Sequence, residues 1–186
     1  MASHSLGLTL YQAARQKGVP FTQENEPVDK QILVNDMPFH YLEWGDSSKP
    51  LIVMLHGGSQ QAHSWDFVSL PLSEHYHIIA LDHRGHGDSA WAADGDYSVE
   101  GHQKDIDGFV SALGLENFNL IGHSMGGRNS YVWASRNSDK LRSLTIVDTG
   151  PEAQHRGRNR IQNFRELPDE LDSFEDFAGR VQEYTG

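Results

Sequence analysis

The sequence predicts an α/β fold, built on a mostly parallel, doubly wound sheet with a β-hairpin near the N-terminus. Two observations support this prediction. Short apolar runs alternate with amphipathic segments along the chain, and three of the runs end in Gly-rich polar segments that begin at His56, Asp82 and Gly122. Wholly apolar short strands are typical of parallel sheets covered by helices on both faces. Such sheets bind ligands at the carboxyl ends of their strands, so we expect a site where these three segments meet.

Length and composition exclude several classes of protein. The chain has 186 residues, a formal net charge of −11 and no cysteine. This length predicts one domain, and the lack of cysteine excludes disulfides, thiol nucleophiles and Cys-ligated metal sites. The acidic balance argues against nucleic-acid binding. No apolar run is long enough to span a membrane, and residues 1–20 do not resemble a signal peptide. We therefore expect a cytoplasmic protein without nucleic-acid or membrane partners, and its oligomeric state stays open.

The individual elements follow from local patterns. Two strand-like runs, 32–34 and 39–42, flank Asn35 and Asp36, which tolerate turn geometry and predict the hairpin. The apolar side chains of Ile106, Phe109, Val110 and Leu113 recur with the i, i+3, i+4, i+7 spacing of one helix face. The other predicted strands are 51–55, 77–81, 118–121 and 141–147. The predicted helices are 64–74, 99–113 and 125–135. Residues 1–30 are predicted to be peripheral.

The segment Gly122-x-Ser124-x-Gly126 fits a nucleophile elbow. It follows a predicted strand and precedes a predicted helix, where a serine hydroxyl would be lifted above the sheet and bulkier flanking residues would clash. The N–H of Met125, at the start of that helix, would face a developing oxyanion, and Gly58 would supply a second donor. The pattern alone is weak, since an ordinary Gly-rich turn fits it too, but its place after the strand strengthens the interpretation.

Three motifs in order identify a family resemblance. The segments Leu-His56-Gly-Gly, Asp82-x-Arg84-Gly-His-Gly-x-Ser89 and Gly122-His-Ser124-Met-Gly-Gly closely resemble the α/β-hydrolase superfamily, over residues 31–151. The resemblance implies an eight-stranded sheet, a Ser–His–acid triad without metal or organic cofactor, and a helical cap inserted after strand six. On this basis, residues 31–151 form the first six strands of the core and residues 152–186 begin the cap.

The same resemblance leaves the triad incomplete. In this family the acid usually follows strand seven and the histidine strand eight, and no sequence remains for either strand. His155 is the one histidine after Ser124. It is a candidate base, although the simpler interpretation is a polar residue at the surface or in the cap. Asp148, after the run 141–147, is the best available acid, where a minority of the superfamily places it; capping the following turn is the commoner role.

Other polar residues receive structural or binding roles. Gly57 and His123 are predicted to line the substrate site, and His56, His83 and His86 to orient their loops by hydrogen bonding. Asp82 and Asp88 are predicted to brace the loop 82–89, with Arg84 as a partner of one of them. The pair His75-x-His77 lacks further ligands at supporting spacing, so no metal site is predicted.

The leading functional hypothesis is a serine hydrolase that cleaves a small ester, lactone or related acyl substrate through an acyl-enzyme at Ser124. Carbon–carbon bond hydrolysis and cofactor-free haloperoxidase activity use the same residues, and the sequence does not separate them. A serine at the elbow argues against the epoxide hydrolases and dehalogenases of this fold, which attack with a carboxylate. The alternative is a non-catalytic small-ligand-binding or regulatory protein that has lost the base. Nucleotide binding is disfavoured, because no phosphate-binding Gly-rich motif follows a strand.

A sheet that stops at strand six would expose the apolar run 141–147 as an unpaired edge, and such edges promote aggregation. We therefore expect these residues alone to be poorly soluble or oligomeric. We also expect the chain to be an incomplete copy of a protein of roughly 250 to 300 residues. A monomeric, cooperatively melting protein would contradict this hypothesis.

Overall fold

The computed structural model describes residues 8–150, 171 and 173–185. The strands are β1 Val28–Val34, β2 Met37–Trp44, β3 Leu51–Leu55, β4 His77–Leu81, β5 Phe118–His123 and β6 Leu141–Val147. The α-helices are α1 Leu10–Gln16, α2 Asp66–Leu72, α3 Val99–Ala112, α4 Met125–Ala134 and α5 Phe174–Thr185, and 3-10 helices cover Ala62–Trp65 and Ser138–Lys140.

The described strands form one sheet in the order β1-β2-β4-β3-β5-β6. The β1–β2 and β2–β4 pairs are antiparallel, whereas β3 pairs in parallel with β4 and β5, and β5 in parallel with β6. Leu55 at the end of β3 is in register with Leu81 of β4 and with Gly122 of β5. The parallel strands therefore end together at one edge of the sheet. The predicted mostly parallel α/β sheet is confirmed.

Two buried clusters cover the two faces of this sheet. Alternate residues of β3 supply both, since Val53 and Leu55 lie in one cluster and Ile52 and Met54 in the other. The first cluster is completed by side chains of α3 and α4, including Phe109 and Trp133. The second contains Ala14 of α1 and Leu70 of α2. The central strands have uninterrupted apolar sequences because both of their faces are buried, one in each cluster.

The N-terminal hairpin is confirmed, with Asn35 and Asp36 at φ of 51° and 62°. Both turn residues are in the left-handed region, as a two-residue type I′ turn requires. β1 begins at Val28, earlier than the apolar pattern indicated, and its first four residues are exposed. Cross-strand contacts extend it instead: Lys30 forms an ion pair with Glu43 of β2, and Asp29 contacts His40.

Residues before the hairpin pack on the second cluster. α1 begins with a capping box between Thr9 and Gln12, which satisfies free N–H groups of the first turn. Ala14 is completely buried, and Leu10, Tyr11, Val19 and Phe21 lie partly buried against the same cluster. The segment 64–74, predicted as one helix, is a 3-10 turn followed by α2.

The chain divides into two compact units, residues 1–149 and 150–186. Within the second unit, α5 begins with Glu175 and Asp176 in its first turn, and these carboxylates complement the positive end of the helix dipole. Of the residues 152–186 that were predicted to begin the helical cap, 152–170, 172 and 186 lie outside the described residues. Among the described helices, none has the length and apolar character needed to cross a membrane.

Candidate active site

Three loops meet at the edge where the parallel strands end. The β3 loop (residues 56–61) contacts the start of α4 through a hydrogen bond from Gly126 N–H to the His56 carbonyl, 3.1 Å. The β4 loop (residues 82–89) contacts the β3 loop through a 3.0 Å bond from His83 N–H to His56 Nε2. The three motifs of the sequence are therefore adjacent in space.

Ser124 lies on the turn between β5 and α4 in a strained backbone conformation. Its φ is 49° and its ψ is −110°, a region that L-residues rarely adopt. The turn is held on both sides: Ser124 N–H donates to the Val147 carbonyl at 2.9 Å, and Arg128 N–H donates to the Ser124 carbonyl at 2.9 Å. The serine side chain is partly exposed at the strand end.

The glycines of the motif permit a close approach of α4 to the sheet. A Cβ on Gly126 would overlap the carbonyl oxygens of Leu55 and His56, and a Cβ on Gly122 would overlap Ser130 Oγ and the Gly126 carbonyl. The Gly-x-Ser-x-Gly spacing therefore has a steric cause here: strand and helix pack too closely for larger residues.

The two predicted oxyanion donors, Gly58 and Met125, lie on segments that approach each other. Met125 is the first residue of α4, so its N–H has no acceptor one turn earlier within the helix. Gly58 is exposed, and its Cβ position lies 3.9 Å from Met125 Sδ, which places the β3 loop against the start of α4. The neighbouring Gly57 differs, because its N–H already donates to Gln60 Oε1 at 2.8 Å and the residue is buried.

His123 and Asp148 border the elbow. His123 Nδ1 lies 2.9 Å from Gln60 Oε1, and its ring meets Trp65 edge-to-face at 6.5 Å between centroids. His123 Nε2 lies 3.8 Å from Asp148 Oδ2, and the Asp148 side chain is 87% exposed. Asp148 follows β6 with φ at 53°, immediately after the carbonyl that receives the Ser124 N–H. The structure therefore places the predicted acid one strand away from the predicted nucleophile.

The candidate base predicted from the sequence, His155, lies outside the residues that the structure describes. Within the described residues, Ser124 Oγ forms no hydrogen bond to a histidine. The described residues also include no group of three or more His, Asp or Glu side chains arranged to hold a metal ion. His77, one of the two histidines considered as a metal pair, lies 2.6 Å from Glu43 through Nε2.

The prediction for Arg84 is wrong. Its guanidinium binds both carboxylate oxygens of Asp105 on α3, at 2.5 and 2.6 Å, and not Asp82 or Asp88. It also donates to the carbonyls of Asp96 and Gly101, and the hydrogen bond with Asp105 raises the pKa of Arg84. Asp105 lies 21 residues from Arg84 in the sequence. No sequence pattern predicts this pairing, because only the fold brings α3 beside the β4 loop.

Four histidines, three of them in the β3 and β4 loops, form a cluster that no pattern in the sequence predicted. The ring of His56 lies 4.7 Å from that of His83 and 5.2 Å from that of His86, and His83 lies 5.2 Å from His102. Burial lowers the pKa of His56 and of His102 to about 4, and that of His83 well below its ordinary value. These three rings are therefore uncharged at neutral pH.

Comparison with known proteins agrees with this architecture. A family model described as alpha/beta hydrolase fold matches residues 50–178. The chain is 34% identical over 147 residues to esterase Rv0045c of Mycobacterium tuberculosis, covering 79% of this chain and 47% of that protein. It is 35% identical over 117 residues to N-formylmaleamate deformylase of Pseudomonas putida, covering 63% and 43%, and 36% identical over 121 residues to a soluble epoxide hydrolase of a Corynebacterium species, covering 65% and 41%.

A solved alpha/beta hydrolase from Novosphingobium aromaticivorans superposes with a TM-score of 0.78 at 25% identity, covering 87% of this chain and 57% of that one. The chain spans less than half the length of the three curated relatives named above. The matched region includes β3 through β6 and all three motif loops. The chain belongs to the alpha/beta hydrolase fold family.

Proposed function

We propose that this protein is a serine hydrolase that cleaves a small ester, lactone or related acyl substrate through an acyl-enzyme at Ser124. The observation that carries the proposal is the backbone of Ser124, strained at φ 49° between β5 and α4. Strain of this kind persists at functional sites because it presents a side chain that relaxed geometry would turn away. A plain turn between strand and helix has no need of it.

The reaction would run in two steps. Ser124 Oγ attacks the substrate carbonyl carbon, its proton passes to a histidine base, and the carbonyl oxygen becomes an oxyanion beside the N–H groups of Gly58 and Met125. Collapse of the tetrahedral intermediate expels the alcohol, which takes the proton from the histidine. Water then cleaves the acyl-enzyme by the same route and restores Ser124.

The base belongs to a part of the protein beyond the described residues, either His155 or a histidine outside these 186 residues. Asp148 is the candidate acid because of its place, directly after β6 and beside the elbow. On the proposed mechanism, a serine nucleophile favours acyl transfer over the opening of an epoxide. A hydroxyl forms an ester intermediate only by acyl transfer, whereas opening an epoxide through an ester intermediate needs a carboxylate nucleophile.

Labelling with a fluorophosphonate tests the proposal in the protein as its source produces it. An activated serine displaces fluoride and forms a stable phosphonyl adduct, so we expect one adduct, on Ser124. Ser124→Ala is expected to abolish labelling. Ser135→Ala, which changes an exposed serine at the end of the same helix, is expected to label like the wild type. No adduct on the folded wild-type protein would reject the hydrolase in favour of a non-catalytic ligand-binding protein.

A further inference from the structure

The carboxylate of Asp82 joins the β3 loop to the β4 loop. Asp82 lies directly after β4 and is 2% exposed. Its Oδ1 accepts a hydrogen bond from Ala62 N–H at 2.6 Å, at the end of the β3 loop, and its Oδ2 accepts one from Asp88 N–H at 3.0 Å. One buried carboxylate thus holds two of the three loops that form the site.

His40 of β2 holds this carboxylate from the other side. Its Nδ1 lies 2.7 Å from Asp82 Oδ2, its Nε2 lies 3.2 Å from Asp29 Oδ1, and the residue is 3% exposed. Carboxylate oxygens accept hydrogen bonds, so the imidazole of His40 donates to Asp82 through Nδ1.

Backbone contacts lock the same two residues together. Asp82 N–H donates to the His40 carbonyl at 3.0 Å. Ser89 completes the arrangement, because its Oγ accepts from His40 N–H at 2.9 Å and donates to the Asp82 carbonyl at 2.8 Å. The backbone of Asp82, and with it the start of its side chain, is therefore held in place by hydrogen bonds to β2 and to Ser89.

The β3 loop is tethered near both ends. The His56 carbonyl accepts from Gly126 N–H at one end, and Ala62 N–H donates to Asp82 at the other. Gly58 lies between these two tethers. Within the loop, Gln60 Oε1 accepts from Gly57 N–H and also lies 2.9 Å from His123 Nδ1 at the end of β5, and Ser59 N–H donates to His86 Nε2 at 3.4 Å.

We propose that His40 and Asp82 are positioning residues for the oxyanion hole, acting through Ala62 on the N–H of Gly58. A buried polar pair contributes little net stability compared with apolar residues of similar size, so the role proposed for His40 and Asp82 lies in the geometry that their hydrogen bond imposes. The proposal rests on the proposed role of Gly58 as an oxyanion donor. It identifies two residues outside the Gly-x-Ser-x-Gly motif on which the rate of acyl transfer depends.

Two variants of His40 test the proposal by the kinetics of p-nitrophenyl acetate hydrolysis, in the protein as its source produces it. His40→Leu removes the donor to Asp82, whereas His40→Asn keeps an amide N–H near the position of Nδ1. Displacing a catalytic group by about 1 Å lowers rates by up to ~100-fold. We expect His40→Leu to lower kcat by about 10- to 100-fold with KM nearly unchanged, and His40→Asn to restore most of kcat.

Phe39→Leu is the matched control, because Phe39 is the neighbouring buried residue of β2 and contributes only core packing. It is expected to lower thermal stability while kcat, measured well below the melting temperature, stays near that of the wild type. If Phe39→Leu lowers kcat as much as His40→Leu, or if folded His40→Leu turns over at the wild-type rate, the positioning role is wrong.

A second variant does not depend on His40. Ala62→Pro removes the N–H that binds Asp82, at the first position of a 3-10 helix where proline is tolerated, and Gln61 before it is already extended at φ −151° and ψ 175°. Amide hydrogen exchange of residues 57–61 is expected to become faster in Ala62→Pro and in His40→Leu, but not in Phe39→Leu. This readout needs no catalysis, so it decides the positioning role even if the wild type fails to hydrolyse the ester and the proposed function is rejected. Unchanged exchange in both variants would overturn the inference.

Discussion

The backbone N–H of His83 donates to Nε2 of His56 at 3.0 Å, so that one imidazole ring joins two loops of the candidate site. The other nitrogen of His56 lies 2.7 Å from the Gly57 carbonyl, to which it donates. Both ring nitrogens are therefore in use, and only the neutral tautomer satisfies both contacts. A second proton would occupy Nε2 and remove the acceptor of the His83 N–H.

Stability is expected to fall with acid in a window set by these histidines. Burial lowers the pKa of His56 and of His102 to about 4 in the folded protein, whereas the ordinary value is 6.5. The unfolded chain therefore binds protons first, so stability is complete above pH 6.5 and decreases as the pH falls towards 4. Each of the two histidines contributes on the order of 3 kcal/mol to this loss. Urea unfolding between pH 7.5 and 4.5 measures it.

His102→Leu separates this effect from the titration of carboxylates. The Nδ1 of His102 has no hydrogen-bond partner within the described part of the chain, so the variant removes a titrating group and its ring contact with His83 without breaking a hydrogen bond to Nδ1. We expect the free energy of unfolding of His102→Leu to decrease less between pH 6.5 and 4.5 than that of the wild type. His75→Gln, which changes an exposed histidine, is measured alongside as the control. An unchanged slope in His102→Leu would contradict the assignment.

The ion pair of Arg84 and Asp105 is expected to be strongly coupled. Both side chains are buried, so Arg84→Met leaves an uncompensated carboxylate, and such changes cost about 3 to 5 kcal/mol. The double variant Arg84→Met/Asp105→Leu removes both charges and is expected to recover much of that loss. Urea unfolding of the two singles and the double gives the coupling energy.

The exposed pair Arg15–Glu24 is the control for this cycle. Its side chains are 59% and 50% exposed, so Arg15→Met is expected to change the free energy of unfolding by less than about 1 kcal/mol. Equal losses for Arg84→Met and Arg15→Met would show that the Arg84 pair does not brace the β4 loop.

The strands and the three loops were predictable because their signals are local. Central strands such as β3 are apolar on both faces, and the Gly-rich segments directly follow strand ends. Contacts that join distant parts of the chain left no such signal. His40 and Asp82, for example, are 42 residues apart in the sequence. Arg84 pairs with Asp105 on α3, and the sequence does not specify which side of that helix faces the β4 loop. The polar start of β1 was missed because cross-strand ion pairs, and not apolar residues, extend that strand.

The close approach of α4 to β3 predicts a large effect at Gly126. Gly126→Ala would force its Cβ against the carbonyls of Leu55 and His56, which are backbone atoms of the central strand and cannot rotate away. We expect a loss above about 3 kcal/mol in the free energy of unfolding, within the range of severe core changes. Gly179→Ala on α5 is the control, because no heavy atom of the described residues lies within 4 Å of its Cβ position and alanine favours helix by about 1 kcal/mol. A mild effect at Gly126 would contradict the steric origin of the motif.

The strained turn at Ser124 predicts that one inactive variant is more stable than another. Ser124→Ala and Ser124→Gly both remove the hydroxyl, but only glycine adopts φ 49° with ψ −110° at low cost. Release of strain worth about 1 to 3 kcal/mol is partly offset by the greater freedom of glycine in the unfolded chain. We expect the free energy of unfolding of Ser124→Gly to exceed that of Ser124→Ala by about 1 kcal/mol in urea unfolding at pH 7.5, where His56, His83 and His102 are uncharged in both variants. If Ser124→Gly is the less stable of the two, the backbone at the elbow stores no strain, and the observation that supports the nucleophile is lost.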